Sequence, residues 1–219
     1  MSEPVNATGM ILKAYDYSEY DRRLIVLTRE FGKITVFAKG VRRINSRFMA
    51  ASEPLVYGRF KLFEGKSAYN LGEAEISNYF EDIRLDMENL VYASFFCDMA
   101  EYCTRENVDE SDILKLLYRA LQALLSKNLD NGLIASAFQF KLIMLNGEYP
   151  GVDAENVKNA GTRDAISYIG SSDIKNIFAF KVNDEIKLEL AQIAKKRRRA
   201  FVAQDLKSLE VMNDLGYNI

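Results

Sequence analysis

Eleven of the 29 basic residues of this 219-residue chain fall between Arg22 and Lys66, opposed there only by Glu30, Glu53 and Glu64, a net charge of +8. Guanidinium and ammonium groups at that density break no bonds, but they neutralise phosphates. Lys39, Arg42, Arg43 and Arg47 crowd into Ala38-Lys39-Gly40-Val41-Arg42-Arg43-Ile44-Asn45-Ser46-Arg47, where Gly40 and Ser46 allow close backbone approach. The alternative is a solvated basic loop. Further on, alternation puts Tyr57, Arg59, Lys61 and Phe63 on one face of a strand and Val56, Phe60 and Leu62 on the other. Cations interleaved with aromatic rings suit a single strand, whose phosphates are neutralised while its bases stack. Tyr57 and Phe63 are the candidate stacking rings, with barrel core as the alternative. Arg22, Arg23, Lys33 and Lys66 complete the candidate phosphate contacts.

Other chemistry is thin. The chain has no histidine, which removes the usual general base near neutral pH, every Ser-His or Cys-His nucleophile and the commonest zinc ligand. Its two cysteines, Cys97 and Cys103, fit neither a redox pair nor a zinc knuckle and point about 120° apart on a helix, so both read as reduced core residues. Gly65-Lys66-Ser67 lacks the glycine five residues upstream that a phosphate-binding loop needs; Phe60 stands there, and the tripeptide reads as a hairpin turn. No carboxylate pair is marked out by spacing. The densest run of cations, Lys195 to Arg199, falls at a helix end, where the helix dipole favours it; it reads as a solvated terminus, with a phosphate or acidic-peptide contact as the alternative. These readings predict a non-enzymatic protein without cofactor or metal. The N-terminal residues show no signal-peptide pattern and no apolar run reaches a membrane span, so a cytoplasmic location is expected.

The elements that must position these residues divide the chain near Phe80. Before it, Gly9 to Tyr15, Arg22 to Thr28, Lys33 to Lys39, Pro54 to Phe63 and Ala68 to Ile76 are short runs rich in β-branched and aromatic residues. Three strands, an insertion at Ile44 to Ala51 and two more strands are the order of an OB-fold, a five-stranded barrel. After Glu81 the apolar period becomes helical. Ser111 stands as an N-cap before Ile113, Leu116, Leu117, Ala120, Leu121, Leu124 and Leu125. Ile134, Ala137, Phe138, Leu142 and Leu145 repeat the stripe, and Gly147 and Pro150 stop it. Met87 to Cys103, Ser172 to Phe180, Asp184 to Ala200 and Gln204 to Leu215 are further candidates, with an irregular stretch from Gly151 to Gly170. Charge divides with the elements, because Glu81 to Asp112 carries a net of −8. The prediction is an α+β protein of two domains: an OB-fold barrel over 1–80 that binds DNA, and an all-α helical bundle over 81–219.

Several segments together resemble the RecO family of bacterial recombination mediators. They are Met10-Ile11-Leu12-Lys13-Ala14, Tyr17 to Arg22, Leu27 to Lys33 and Ala38 to Arg47 in the barrel, then Phe138 to Pro150 and Leu206 to Met212 in the helical half. The resemblance implies binding of single- and double-stranded DNA, annealing of complementary strands, and loading of RecA onto strands coated by single-strand-binding protein, with RecR as a further partner. It also implies that the helical half receives the acidic C-terminal tail of the single-strand-binding protein, for which Lys115, Arg119 and Lys141 are candidate contacts. Many members carry four zinc-binding cysteines after the Gly and Pro stop; the matching segment, 152–168, offers Asp153, Glu155 and Asp164 instead, so that module is expected to be lost. The rival readings are an OB-fold RNA-binding protein and an interaction scaffold without DNA affinity.

Overall fold

The computed structural model describes residues 3–217. Five strands, β1 (Val5–Asp16), β2 (Arg22–Thr28), β3 (Gly32–Ala38), β4 (Tyr57–Glu64) and β5 (Tyr69–Asn78), close in the order β1-β2-β3-β5-β4. All neighbours are antiparallel except β3 and β5, which run parallel through Val36↔Tyr69 and Phe37↔Asn70. This is the OB-fold barrel that the strand order predicts.

The long β1 makes closure possible by serving two neighbours. Val5 to Met10 pair with β4, Gly9 to Asp16 pair with β2, and the register shifts between Ile11 and Lys13. A bulge there bends the strand around the barrel. At Gly9 a Cβ would stand 2.3 Å from the carbonyl oxygen of Leu27, so only glycine permits that crossing. Period-2 alternation then fills the interior with Ala7, Ile11, Leu24, Val26, Ile34, Val36, Phe60 and Leu62. The long β3 to β4 connection contributes Val41 and Val56 to the same core, so it caps the barrel with apolar side chains while exposing its polar ones.

Among the described residues seven α-helices follow: α1 (Glu81–Arg84), α2 (Met87–Cys103), α3 (Ser111–Leu124), α4 (Asn131–Leu145), α5 (Ala160–Ser171), α6 (Asp184–Phe201) and α7 (Lys207–Asp214). Two compact units run across this order of elements. Among the described residues one comprises 3–81 and 100–114, the other 82–99 and 115–217, with the boundaries inside α1, α2 and α3. In the barrel unit, residues 100–110 lie against the strands: Gly32 bridges Glu106, and the Lys33 amide donates to the carbonyl of Arg105 at 2.9 Å. Gly32 has a φ of +65°, and a Cβ there would meet the Arg105 carbonyl oxygen at 2.2 Å. Residues 100–114 therefore belong with the barrel, although their sequence pattern is continuous with the helical half.

In the helical unit, α4 is the central element and packs against both α5 and α6. Every residue from Leu133 to Ile143 is buried, so the apolar stripe expected there is part of a helix enclosed on all sides. Phe96 and Phe138 stack at 4.5 Å in this core. Asp130 caps α4 by accepting the Leu133 amide at 2.9 Å. Gly147, at a φ of +73°, ends the turn that follows it.

Three local expectations need correction. Ser111 is the first residue within α3, not its cap; its amide donates to the Asp109 carboxylate at 3.1 Å. Leu125 lies beyond α3 and is 40% exposed. The predicted helix from Ser172 to Phe180 is a series of turns, and α5 instead occupies the stretch read as irregular. Asn159 caps α5 by accepting the Gly161 amide, and Thr162, Ala165, Ile166 and Ile169 form its buried face. Gly161 and Gly170 within the same run obscure that periodicity.

Candidate nucleic-acid interface

One end of the barrel gathers rings and guanidinium groups. The strand register places Tyr15 opposite Arg23 and Arg23 opposite Phe37, so β1, β2 and β3 carry one row of ring, cation and ring on one face. The Arg23 guanidinium lies 5.0 Å from the Tyr15 ring, and Tyr17, 64% exposed in the β1 to β2 hairpin, packs on Phe37 at 4.8 Å. Tyr20, on the same hairpin, has the Arg43 guanidinium 5.4 Å above its ring. Its hydroxyl pKa is pushed up, first by a hydrogen bond to Glu19 and then by desolvation, against the lowering pull of Arg43.

The basic loop is fastened to this hairpin. The Gly40 amide donates to Asp21 Oδ1 at 2.8 Å, the Arg42 amide donates to the Tyr20 carbonyl at 3.0 Å, and Arg42 Nη1 donates to the Ser18 carbonyl at 3.0 Å. Arg42 Nη2 also pairs with Asp16 at 3.1 Å. Farther along the loop, Arg47 lies 4.5 Å from the Phe48 ring, beside an open depression lined by Ala51, Ala74, Ile76 and Tyr79. A guanidinium laid on a ring keeps its edge N–H groups directed outward. Arg23, Arg43 and Arg47, all exposed, have this arrangement, and Lys39 is exposed at the start of the loop.

The other predicted contacts divide differently. Arg22 is held by Glu53 at 2.6 Å, by Ser52 Oγ at 3.0 Å and by Asp16 at 3.6 Å, which anchors the loop to the barrel. The Lys33 ammonium donates to the Glu101 carbonyl in the last turn of α2, where a cation favours the helix dipole. Both are thus committed within the fold. Tyr57, Arg59, Lys61 and Phe63 do share the outer face of β4, with Gly58, Phe60 and Leu62 inside. Glu73 and Glu75 of β5 stand directly opposite Lys61 and Arg59, with Lys61 at 3.3 Å from Glu73, so that face is compensated. Lys66 is exposed in the β4 to β5 turn, which the Gly65 amide closes by donating to Ala68.

Among the tail candidates, Lys141 is buried in α4. Its ammonium donates to the carbonyls of Ile169, Gly170 and Ser172 at 3.2, 2.9 and 2.9 Å, which caps the end of α5 and uses all three of its protons. It is a structural cap, because a long stem can carry a charge to a helix terminus inside the core. Lys115 and Arg119 lie one turn apart on α3, and Arg119 donates to Gln122 at 3.0 Å. In the segment 152–168, Glu155 is paired with Arg197, and Glu189 accepts from the Lys158 and Asn159 amides and the Thr162 hydroxyl. Cys97 is buried, and burial pushes the Cys103 thiol up to about 12, which leaves no reactive thiolate there.

Sequence reading missed Tyr15, Tyr17, Tyr20 and Phe37. The available signal was the tyrosine spacing around Asp16 and Asp21, since OB-folds bind oligonucleotides on strands 2 and 3 and the loop between strands 1 and 2.

The comparisons agree with this architecture. Residues 1–80 match the model of the recombination protein O N terminal region, and residues 84–160 match that of its C terminal region. The chain is 25% identical to the DNA repair protein RecO of Clostridium perfringens, with 95% of this chain and 97% of that protein covered. It is 26% identical to the DNA repair protein RecO of Acetivibrio thermocellus, covering 96% and 97%. With that of Shouchella clausii the identity is 29%, over 73% and 62% of the two chains. Both halves of the chain, in order and over nearly its full length, therefore place it in the RecO family of DNA repair proteins.

Proposed function

We propose that this chain is a non-catalytic mediator that binds single- and double-stranded DNA at the ring and guanidinium cluster of the barrel. It anneals complementary strands there and, with RecR, helps load RecA on strands coated by single-strand-binding protein. The observation that carries this reading is the arrangement of Tyr15, Arg23, Phe37, Tyr17, Tyr20 and Arg43 at one barrel end. Exposed rings stack bases, and guanidinium groups laid on rings meet phosphates without first breaking ion pairs. Family membership supports the repair context, while annealing, RecA loading and the partners rest on the resemblance. The tail of the single-strand-binding protein would be received by the helical unit, where α3 carries Lys115 and Arg119 one turn apart.

The test is a salt titration of the full-length protein on a single strand, a duplex and RNA, repeated with Arg23, Arg43 and Arg47 changed to glutamine. The triple change should lower the log–log salt slope on a single strand by about 2, at roughly 0.7 per lost phosphate contact. An unchanged slope would show that these groups face away from DNA, and tighter binding to RNA than to DNA would favour the RNA-binding reading.

A further inference from the structure

We propose that the open edge of β5 receives an extended segment of a partner protein in which apolar and basic residues alternate. Each of β1 to β4 buries inward residues, whereas no residue of β5 is buried; its Leu71, Ala74 and Ile76 pack on the barrel core while staying partly exposed. The cause is topological. β3 pairs with β5 only at Val36↔Tyr69 and Phe37↔Asn70, so among the described residues β5 has, from Gly72 onward, β4 on one edge and no strand on the other. The backbone of 72–77 forms no hydrogen bond to described residues outside its pairing with β4.

An open depression of about 440 Å³ lies at this edge, with Arg47, Phe48 and Ala51 of the β3 to β4 loop on one side and Ala74, Ile76 and Tyr79 on the other. An unpaired edge beside a depression is what strand addition requires: main-chain hydrogen bonds supply affinity, and alternate side chains fill the depression. The edge has room for a strand of about six residues, roughly 20 Å long.

The side chains of β5 set the chemistry of the partner. Glu73 and Glu75 are exposed and alternate with the inward Ala74 and Ile76. On an added strand the residues beside Ala74 and Ile76 enter the depression and must be apolar, while those beside the glutamates favour lysine or arginine, because opposite charges on neighbouring strands attract. Glu73 meets Lys61 at 3.3 Å through Oε1 alone, which leaves Oε2 for a second cation. The same acids turn other occupants away. In a β5 to β5 pairing of two copies about Ala74, Glu73 would stand opposite Glu75, and a nucleic-acid strand would bring phosphates beside both. Arg47, 4.5 Å from the Phe48 ring on the loop side, suits a carboxylate at the end of the segment. This reading does not rest on DNA binding by the barrel.

The full-length protein, without DNA, should be titrated with short, end-capped, fluorescein-labelled peptides: one alternating valine and lysine, one with the same residues in two blocks, and one alternating valine and glutamate. The valine and lysine alternation should bind about tenfold tighter than either of the others, and E73K/E75K should reverse the preference toward the glutamate peptide. N-methylation of one set of alternate peptide amides should weaken binding while methylation of the other set does not, because only one edge of the added strand pairs with β5. No binding, equal binding of the alternating and block peptides, or indifference to methylation of both sets would overturn the proposal. So would a DNA single strand whose binding Tyr79→Ala abolishes while no peptide binds. Self-association of the parent that a capped peptide of residues 72–78 inhibits better than the alternating one would give the edge to a second copy and overturn it as well. The readout is peptide binding in the absence of DNA, so its failure and that of the DNA reading are distinguishable.

Discussion

The two units use their cations in opposite ways. At the barrel end, Arg23, Arg43 and Arg47 are exposed on aromatic rings, whereas in the helical unit Lys141, Arg197 and Arg198 are turned inward onto carbonyls, Glu155 and Gln139. The same residue types thus bind outward in one place and build structure in the other. The decisive variable is what surrounds each stem. On a strand or loop at the barrel rim the side chain leaves the fold, while on the enclosed α4 or the inner face of α6 it can reach only other protein groups. A count of charge along the chain cannot distinguish the two.

Breaking the inward use should have the largest effect. Arg197→Met removes the principal partner of Glu155, whose side chain is 1% exposed, and should cost about 3 kcal/mol in urea unfolding, because a charge is left buried. Adding Glu155→Gln to that variant should recover part of the loss. If Arg197→Met melts like the parent, the ion pair is not what fastens residues 151–159 to α6. Neither change should alter the salt slope of DNA binding.

The outward use is probed by Tyr17→Ala. Tyr17 is 64% exposed and rests on Phe37, so its removal should leave unfolding unchanged and weaken single-strand binding by about 1 kcal/mol, roughly fivefold, through lost stacking. An equal loss on duplex DNA would show that the ring serves shape rather than stacking. The smallest effect is expected on the other cationic face. Changing Arg59 and Lys61 together to glutamine should alter single-strand affinity by less than about 0.5 kcal/mol, because Glu75 and Glu73 already stand opposite them. A loss as large as that of the Arg23, Arg43 and Arg47 variant would move the DNA path to β4 and undo the comparison.

Much of the fold was legible in the sequence because its signals are local. Period-2 runs bounded by turn residues defined five strands, their order defined the barrel, and the change to a 3.6-residue period located α2, α3, α4 and α6 within a few residues. The basic character of the barrel was equally plain. Non-local pairing decided the rest. Tyr15, Arg23 and Phe37 become one surface only through the register of three strands. Glu73 and Glu75 cancel the β4 face only because β5 lies beside it. Residues 100–114 join the barrel through the close approach at Gly32, and Lys141 becomes a cap only once the end of α5 is placed beside α4. Composition and periodicity determine which segments form strands, helices and a basic module. Whether a given cation faces solvent, an aromatic ring, an acid or a carbonyl depends on neighbours distant in sequence, which only the closed barrel and the packed helices bring within a few ångströms.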